Sequence, residues 1–274
     1  MNRAALLLAI LAILAGIATG AYIIVTQHLH TPYTTTTTTQ GHAYRHGYGH
    51  GQGAVHAQCT TKTVVMILLP GFRWVEFHVT YNMLKNKGAN IVLACPNSET
   101  LGVKATSGGV KLVTVKCNTT LSTNLSGNAL VIIGGPGEYC ILLTYLYNLK
   151  LLNKSSTLEK YVTMCKNMLK SLGVSTTDAI NYVNTVVKLV QKFYSEHKLI
   201  AAICVAPTFL AIAKILNNTH ITMWNAPYLT QYVKQHGGIL ELSKSVVVSD
   251  NIITANGPSA AHEFANKIVE ALCK

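Results

Sequence analysis

A single cysteine stands where an apolar run meets a helix-like run in the segment LIAAICVAPTFLAIAKIL, residues 199–216. A residue at a sharp turn from strand to helix is exposed above the sheet edge, where ligands of open parallel sheets bind. A thiol at a helix N-terminus also feels the positive end of the helix dipole, which lowers its pKa and favours the thiolate. The position therefore suits Cys204 to act as a nucleophile. By residue type alone, a free cysteine is more often a small buried apolar group.

Six further cysteines occur in the chain, at positions 59, 95, 117, 140, 165 and 273. Seven cysteines would permit disulfides in an oxidising compartment, and their odd number leaves at least one unpaired or paired between chains. The sequence contains no Cys-x-x-Cys, which argues against a zinc ribbon or a thioredoxin-like site.

The cysteine segment belongs to a pattern of alternating strands and helices that begins at Lys62. Strands this apolar, alternating with helices, predict an α/β fold with a mostly parallel sheet covered by helices on both faces. The predicted strands are residues 63–70, 89–95, 128–137 (running into a Gly-rich loop), 199–204 and 220–224. The predicted helices are residues 74–88, about 156–172, 176–194 and 259–273, and strand pairs are expected at 102–115 and 245–257.

A helical block of about sixty residues, 138–197, interrupts this alternation. Its second helix begins with a sequence that resembles a capping box, Ser175-x-x-Asp178. The block could cover an active site, form an oligomer interface or pack on the domain, and the sequence leaves these three roles open.

The N-terminal residues 1–26 predict a membrane anchor. Residues 4–26 carry no charge, and as a helix they rise about 34 Å, enough to cross a hydrocarbon core of about 30 Å. Arg3 precedes this span and the next basic residue is Arg45, so the positive-inside rule keeps the N-terminus in the cytoplasm. We therefore predict a single-pass membrane protein with its C-terminal domain on the extracytoplasmic side. The alternative is a cleaved signal sequence, whose apolar core is usually only about 7–15 residues long.

Residues 27–61 predict a flexible stalk rich in Thr, His and Gly, because this composition offers little to bury. His42, His46 and His50 recur every four residues within it and are candidate ligands for loosely bound Cu, Ni or Zn. The alternative is a polar linker without metal.

Two further features bear on location and partners. Four Asn-x-Ser/Thr sequons are candidate N-glycosylation sites, at Asn118, Asn124, Asn153 and Asn217. The formal net charge is +12, but the lysines are scattered and no nucleic-acid-binding motif accompanies them. We expect a basic surface and no nucleic-acid partner.

Four motifs carry a resemblance to a known family: LLPGFRWVEFHV, IIGGPG, AAICVAP and the tail IITANGPSAAHEFANKIVEAL. They resemble the ThiJ/PfpI superfamily in the right order, over about residues 62–140 and 198–273. The resemblance implies a flavodoxin-like sandwich of the class I glutamine-amidotransferase-like type. The domain would then span residues 62–274, with an insertion at about 138–197.

The resemblance also implies roles for individual residues. Cys204 would be the nucleophile and Glu76 the carboxyl that hydrogen-bonds it, with its pKa raised by apolar neighbours. The N–H groups of Gly135 and Val205 would form an oxyanion hole. Val205 stands where the peptidase branch has its catalytic histidine, which argues against peptidase activity. His236 is the nearest candidate for the histidine of the deglycase branch, although it is out of register.

Together these features predict a cysteine-dependent enzyme of glyoxalase or deglycase type, acting on reactive aldehydes, 2-oxoaldehydes or their protein adducts. The alternatives are a non-catalytic redox-sensing or protective protein and a structural or adhesion module on the same fold. We expect no cofactor; the expected partners are a small electrophile or a modified protein, the membrane through the N-terminal helix, and a second copy of the chain.

Overall fold

A seven-stranded sheet forms the centre of the computed structural model, which describes residues 58–273. In chain order the strands are β1 (Thr63–Leu68), β2 (Phe72–Arg73), β3 (Asn90–Cys95), β4 (Glu99–Thr106), β5 (Gly109–Lys116), β6 (Thr119–Thr120), β7 (Ala129–Ile133), β8 (Leu199–Ile203), β9 (Thr219–Ile221), β10 (Gly238–Leu240), β11 (Val246–Ser249) and β12 (Ile252–Ala255). The sheet order is β11-β12-β8-β7-β1-β3-β6, and every pairing is parallel except that of β11 with β12. Strands β1, β7 and β8 are almost wholly buried, as expected for apolar runs in a sheet covered on both faces.

Helices cover this sheet in two groups: α1 packs against α7, and α2 packs against α3 and α4. Their bounds are α1 (Trp74–Asn86), α2 (Pro136–Asn148), α3 (Ser156–Ser171), α4 (Thr176–Ser195), α5 (Pro207–Ile212), α6 (Pro227–Gln235) and α7 (Ala261–Leu272). The predicted α/β class with a mostly parallel sheet is confirmed. The expected capping box is also present, since the Ser175 and Asp178 side chains each bond the other's backbone N–H.

Two predicted elements differ from the structure. Residues 220–224 do not form a strand of the main sheet, because β12 takes the place beside β8 and β9 pairs with β10 instead. The helical run behind Cys204 is also shorter than predicted. It ends at Ile212, and Lys214 then adopts a left-handed φ of 58°.

The helical block is present as α2, α3 and α4, and it packs on the domain. Helix α4 lies against β7 and β8, and a disulfide between Cys140 and Cys165 joins α2 to α3. The C-terminal end of α3 reaches the loop after β1, where a Cβ at Gly71 would lie 3.1 Å from the Leu172 side chain. Whether this block is an insertion relative to the family stays a prediction.

The predicted anchor over residues 1–26 lies outside the described residues, as do most of the predicted stalk and its candidate ligands His42, His46 and His50. None of the helices within residues 58–273 is long and apolar enough to span a membrane. The folded domain begins before its predicted boundary at Lys62. Cys59 is fully buried and its N–H donates to the Lys87 carbonyl at 2.7 Å, so this end of the predicted stalk belongs to the core.

Three disulfides pair six of the seven cysteines, all of which lie in the described part of the chain. They join Cys59 to Cys273, Cys95 to Cys117 and Cys140 to Cys165. The first links the two ends of the domain, and Cys204 is the single free cysteine.

The Cys59–Cys273 disulfide is expected to stabilise the domain more than the Cys95–Cys117 disulfide does. It closes a loop of 214 residues rather than 22, and a longer loop removes more entropy from the unfolded chain. Replacing Cys59 and Cys273 together by Ala should lower the free energy of unfolding by about 5 kcal/mol, against about 3 kcal/mol for Cys95 and Cys117. Denaturant unfolding without reductant measures both, and the reverse order would contradict the loop-entropy explanation.

Candidate active site around Cys204

Cys204 occupies a strained turn directly after β8. Its φ is +66°, a left-handed value that costs free energy for a residue with a side chain. Two backbone hydrogen bonds hold the turn: the Cys204 N–H donates to the Ala255 carbonyl at 2.9 Å, and the Trp224 N–H donates to the Cys204 carbonyl at 2.8 Å. The cysteine is only 5% exposed. This is the geometry of a nucleophile elbow, as the sequence predicts.

Two glycine-containing loops frame this turn. A Cβ at Gly134 would lie 2.5 Å from the Ile203 carbonyl oxygen and 2.7 Å from the Cys204 Cβ, so only glycine permits this approach. A Cβ at Gly135 would lie 2.5 Å from the Arg73 nitrogen, and the Arg73 N–H donates to the Gly134 carbonyl at 2.7 Å. The loop after β1 and the turn before α2 are therefore fixed against the cysteine.

The two N–H groups predicted for the oxyanion hole flank this position. The Val205 N–H hydrogen-bonds to the Cys204 thiol and so lowers the thiol pKa. Within the described residues, neither the Gly135 N–H nor the Val205 N–H has a backbone acceptor. The Gly135 N–H is therefore available to a developing oxyanion, and the Val205 N–H would have to leave the Cys204 sulfur to join it.

Glu76 lies in the first turn of α1 and is fully buried. Burial raises the pKa of its carboxyl to about 8, while the charge of Arg73 and a hydrogen bond from Cys204 act in the lowering direction. Neither carboxyl oxygen has a partner of full hydrogen-bond geometry. The contact with the thiol is therefore loose, as is common for catalytic hydrogen bonds in the absence of substrate. The pKa of Glu76 is raised as expected, and its hydrogen bond to Cys204 stays a prediction.

The site contains a second buried acid, Glu138, which the sequence analysis does not single out. It is the third residue of α2, is fully buried, and neither of its oxygens has a hydrogen-bond partner. Burial raises its pKa well above the usual range, and the nearby charge of Glu76 raises it further. The signal available in the sequence is an acid placed directly after the turn Gly134-Gly135-Pro136-Gly137 in an otherwise apolar run.

The thiol pKa is shifted in the direction opposite to the predicted one. Burial raises the pKa of Cys204 and is the largest influence, followed by the Glu76 carboxyl; Arg73 lowers it, Glu138 raises it and the Val205 N–H lowers it. Burial outweighs the helix dipole here, because α5 has only six residues and begins three positions after the cysteine. At rest, therefore, the site holds a protonated thiol rather than a thiolate.

Arg73 is the cation of this cluster and is also absent from the sequence analysis. It stands three residues before Glu76, at the N-cap of α1, and its charge lowers the pKa of both Glu76 and Cys204. The signal in the sequence is that the domain contains this one arginine, whereas its other strong bases are lysines.

The contacts of His236 are with Tyr232 rather than with Cys204. It lies at the C-cap of α6, where its Nδ1 is 2.7 Å from the Tyr232 carbonyl and its ring stacks on Tyr232. Its role as a base stays a prediction.

The candidate metal and glycan sites can be located in part. Within residues 58–273 no group of three or more His, Cys, Asp or Glu side chains could hold a metal ion.

All four sequon asparagines are exposed. Asn118 differs from the others because its side-chain oxygen accepts a hydrogen bond of 2.6 Å from the Leu93 N–H. Glycan occupancy at Asn118, Asn124, Asn153 and Asn217 stays a prediction.

The raised pKa of Glu76 predicts that the domain loses stability as the pH rises. The native state keeps a proton that the unfolded state releases, so stability falls between pH about 4.5 and pH about 8 and is level above that range. The slope is at most about 1.4 kcal/mol per pH unit for this group. Glu76→Gln should flatten it, because the amide has no proton to lose.

Chemical unfolding at several pH values measures this slope. The exposed Glu159→Gln is the matched control and should keep the wild-type slope. Equal slopes in wild type and Glu76→Gln would contradict a protonated, buried Glu76. Glu138→Gln should flatten the profile in the same direction, since burial also raises that pKa.

The chain is similar to known proteins over part of its length. Residues 173–271 match the model of the DJ-1/PfpI family. An uncharacterized protein of Methanocaldococcus jannaschii, MJ0967, is 33% identical over 102 residues, covering 37% of this chain and 49% of that protein. The glutathione-independent glyoxalase DJR-1.2 of Caenorhabditis elegans is 42% identical over 74 residues, covering 27% of this chain and 38% of the enzyme. The matches thus span about half, or less, of these relatives' lengths.

Solved structures share the fold over most of the described residues. A ThiJ/PfpI domain protein from Brachyspira murdochii superposes with a TM-score of 0.53 at 20% identity, covering 77% of this chain and 95% of that chain. Drosophila melanogaster DJ-1beta gives a TM-score of 0.52 at 24% identity, covering 77% of this chain and 90% of that chain. The chain is thus similar to the DJ-1/PfpI family over residues 173–271, and it shares the flavodoxin-like fold of these solved structures.

Proposed function

We propose that this protein is a cysteine-dependent enzyme that acts on 2-oxoaldehydes or on their adducts with protein. The observation that carries the proposal is the environment of Cys204, a free thiol in a strained turn beside two buried carboxyls, Glu76 and Glu138. The C. elegans relative that matches over 27% of this chain is named a glyoxalase, which supports the same class of substrate.

The first step is attack of the thiol on the aldehyde carbon. Glu76, with a pKa of about 8, is ionised in part of the population near neutral pH and can then take the thiol proton as the C–S bond forms. Glu138 keeps its proton under the same conditions and can donate it to the aldehyde oxygen. The N–H groups of Gly135 and Val205 stabilise the negative charge that develops on that oxygen.

The second step is an internal redox change in the hemithioacetal. The hydrogen on the former aldehyde carbon leaves as a proton to one carboxylate while the ketone oxygen gains a proton, which gives an enediol. The former ketone carbon then receives a proton as the hydroxyl of the former aldehyde carbon loses its own. The aldehyde carbon is thereby oxidised to a thioester while the ketone is reduced to an alcohol. Water then hydrolyses the thioester, which releases a 2-hydroxy acid and restores the Cys204 thiol. Two adjacent protonatable carboxyls supply the proton transfers that a histidine would otherwise provide.

Peptidase activity is not part of the proposal, because Val205 stands where the peptidase branch has a histidine and cannot accept a proton. A redox-sensing role is the second candidate. It is favoured by the pairing of the other six cysteines in disulfides, which leaves Cys204 as the thiol open to oxidation to the sulfinic acid.

We also propose that the domain works outside the cytoplasm on a membrane anchor formed by residues 1–26. The three disulfides support an oxidising compartment, since such bonds are rare in most cytosolic proteins. The helical block is proposed as an insertion that closes the rim of the site, because Glu138 lies in its first helix and Leu172 packs beside Gly71.

Consumption of methylglyoxal and formation of lactate test the proposed activity. Cys204→Ser should abolish turnover, and Glu76→Gln and Glu138→Gln should each lower kcat by about 10²-fold or more, the usual contribution of a general acid or base. Glu159→Gln should leave it unchanged.

The variant His236→Asn tests whether Glu138 or His236 supplies the proton transfers. If Glu138 acts, this variant keeps the activity; a loss as large as that of Glu76→Gln, with Glu138→Gln active, would assign the role to the histidine. Oxidation of Cys204 by peroxide without any aldehyde turnover would favour the redox-sensing role instead.

A further inference from the structure

Backbone contacts hold Arg73 against the Gly134 loop, which itself approaches Cys204. Its N–H donates to the Gly134 carbonyl at 2.7 Å, and β2, which it ends, pairs with β4 at Val103. The chain has three arginines, at 3, 45 and 73, so Arg73 is the one within residues 58–273. A guanidinium and an ammonium differ in what they recognise, because the guanidinium presents a planar fork of donors that matches a carboxylate.

Within residues 58–273, the charge of Arg73 has no salt-bridge partner. All ten Asp and Glu residues of the chain lie in the described part, and none of them forms a salt bridge with Arg73. Its Nε is buried without a hydrogen-bond acceptor. The carboxyls that share its surroundings, Glu76 and Glu138, are themselves buried and also lack hydrogen-bond partners.

This arrangement leaves the charge of the half-buried Arg73 largely without a neutralising carboxylate near neutral pH. Glu138 stays protonated and Glu76 is protonated in much of the population, because burial raises the pKa of both. A buried N–H of a charged group costs free energy when it has no acceptor. A ligand that brings an anionic acceptor would remove this cost, whereas a neutral ligand would leave it in place.

We propose that Arg73 selects electrophiles that carry a carboxylate, so that the preferred substrates of this site are carboxylate-bearing 2-oxoaldehydes rather than neutral ones such as methylglyoxal. The reaction in this inference rests on the proposed function. The preference for anions does not depend on it. The substrate carboxylate accepts hydrogen bonds from the guanidinium while the Cys204 Sγ adds to the aldehyde carbon. The π electrons of the C=O bond move to its oxygen, and the thiol proton reaches that oxygen by way of the buried carboxyls.

Alkylation by iodoacetate and by iodoacetamide tests the preference without any turnover. Both reagents transfer a two-carbon group to sulfur with loss of iodide, and they differ in carrying a carboxylate or an amide. The other six cysteines form disulfides, so intact mass without reductant reports Cys204 alone. The quantity to measure is the ratio of the two rate constants, iodoacetate over iodoacetamide.

We expect this ratio to fall about tenfold or more in Arg73→Gln, the effect of losing a hydrogen bond to a charged group. Arg73→Lys should keep only part of it, because the positive charge remains but the planar fork of donors is lost. Lys104→Gln is the matched control: its ammonium lies 5.7 Å from the centre of the neighbouring Trp74 ring, so it removes a nearby exposed charge. That variant should leave the ratio unchanged.

An unchanged ratio in Arg73→Gln, in protein with wild-type thermal melting, would overturn the proposal. An equal fall in Lys104→Gln would also overturn it, since the effect would then be general surface charge. Acetate should protect Cys204 from iodoacetate better than inorganic phosphate does, and the opposite order would overturn the assignment to a carboxylate. If the ratio falls as expected but no aldehyde is consumed, anion selection stands and the proposed turnover fails.

Discussion

The burial of three acidic groups around a single cation is the constraint on which this site depends. Glu76, Glu138 and Cys204 are each removed from water, so each charge placed among them is costly. Arg73 offsets some of this cost for Glu76 and for the thiol. The cluster therefore holds its protons at rest and releases them as a coupled set, in which ionising one group makes ionising the next less favourable. Buried side chains that hold protons are suited to a reaction whose steps are proton transfers to and from carbon and oxygen.

The rest of the domain keeps this cluster dry and in position. Cys204 is fixed in its left-handed turn by hydrogen bonds to Ala255 and Trp224, which come from two separate segments that follow it in the chain. The turn before α2 approaches the elbow closely because Gly134 has no side chain. The Cys140–Cys165 disulfide joins the helix that carries Glu138 to the next helix of the block. Strain at the elbow is thus balanced by contacts distributed over the whole sheet edge.

The sequence predicts the fold well because the signals that set it are local. Apolar strands, glycine ends and the Ser175 capping box each determine their own element, and β1, β3, β7 and β8 form as expected. The pairing of β9 outside the main sheet depends on which distant strand takes the place beside β8, so local pattern cannot predict it.

The sequence predicts which residues form the site better than it predicts their charges and pKa shifts. Cys204, Glu76 and the two N–H groups follow from the motifs. Glu138 and Arg73 do not, because their importance arises from burial and from a missing partner, which exist only in the folded chain. The direction of the Cys204 pKa shift was wrong for the same reason: the sequence reveals a helix behind the cysteine but not how completely the thiol is buried.

The most direct test of this account is the pH dependence of the reaction of Cys204 with a neutral reagent, iodoacetamide, in wild type and in Glu76→Gln. The rate should rise at a pH above the ordinary thiol pKa of about 8.5, because burial and the Glu76 carboxylate both oppose the thiolate. Removing that carboxylate should move the rise to lower pH. A Cys204 that already reacts fully at pH 6 to 7, with no change in Glu76→Gln, would contradict the account of a buried, proton-holding cluster.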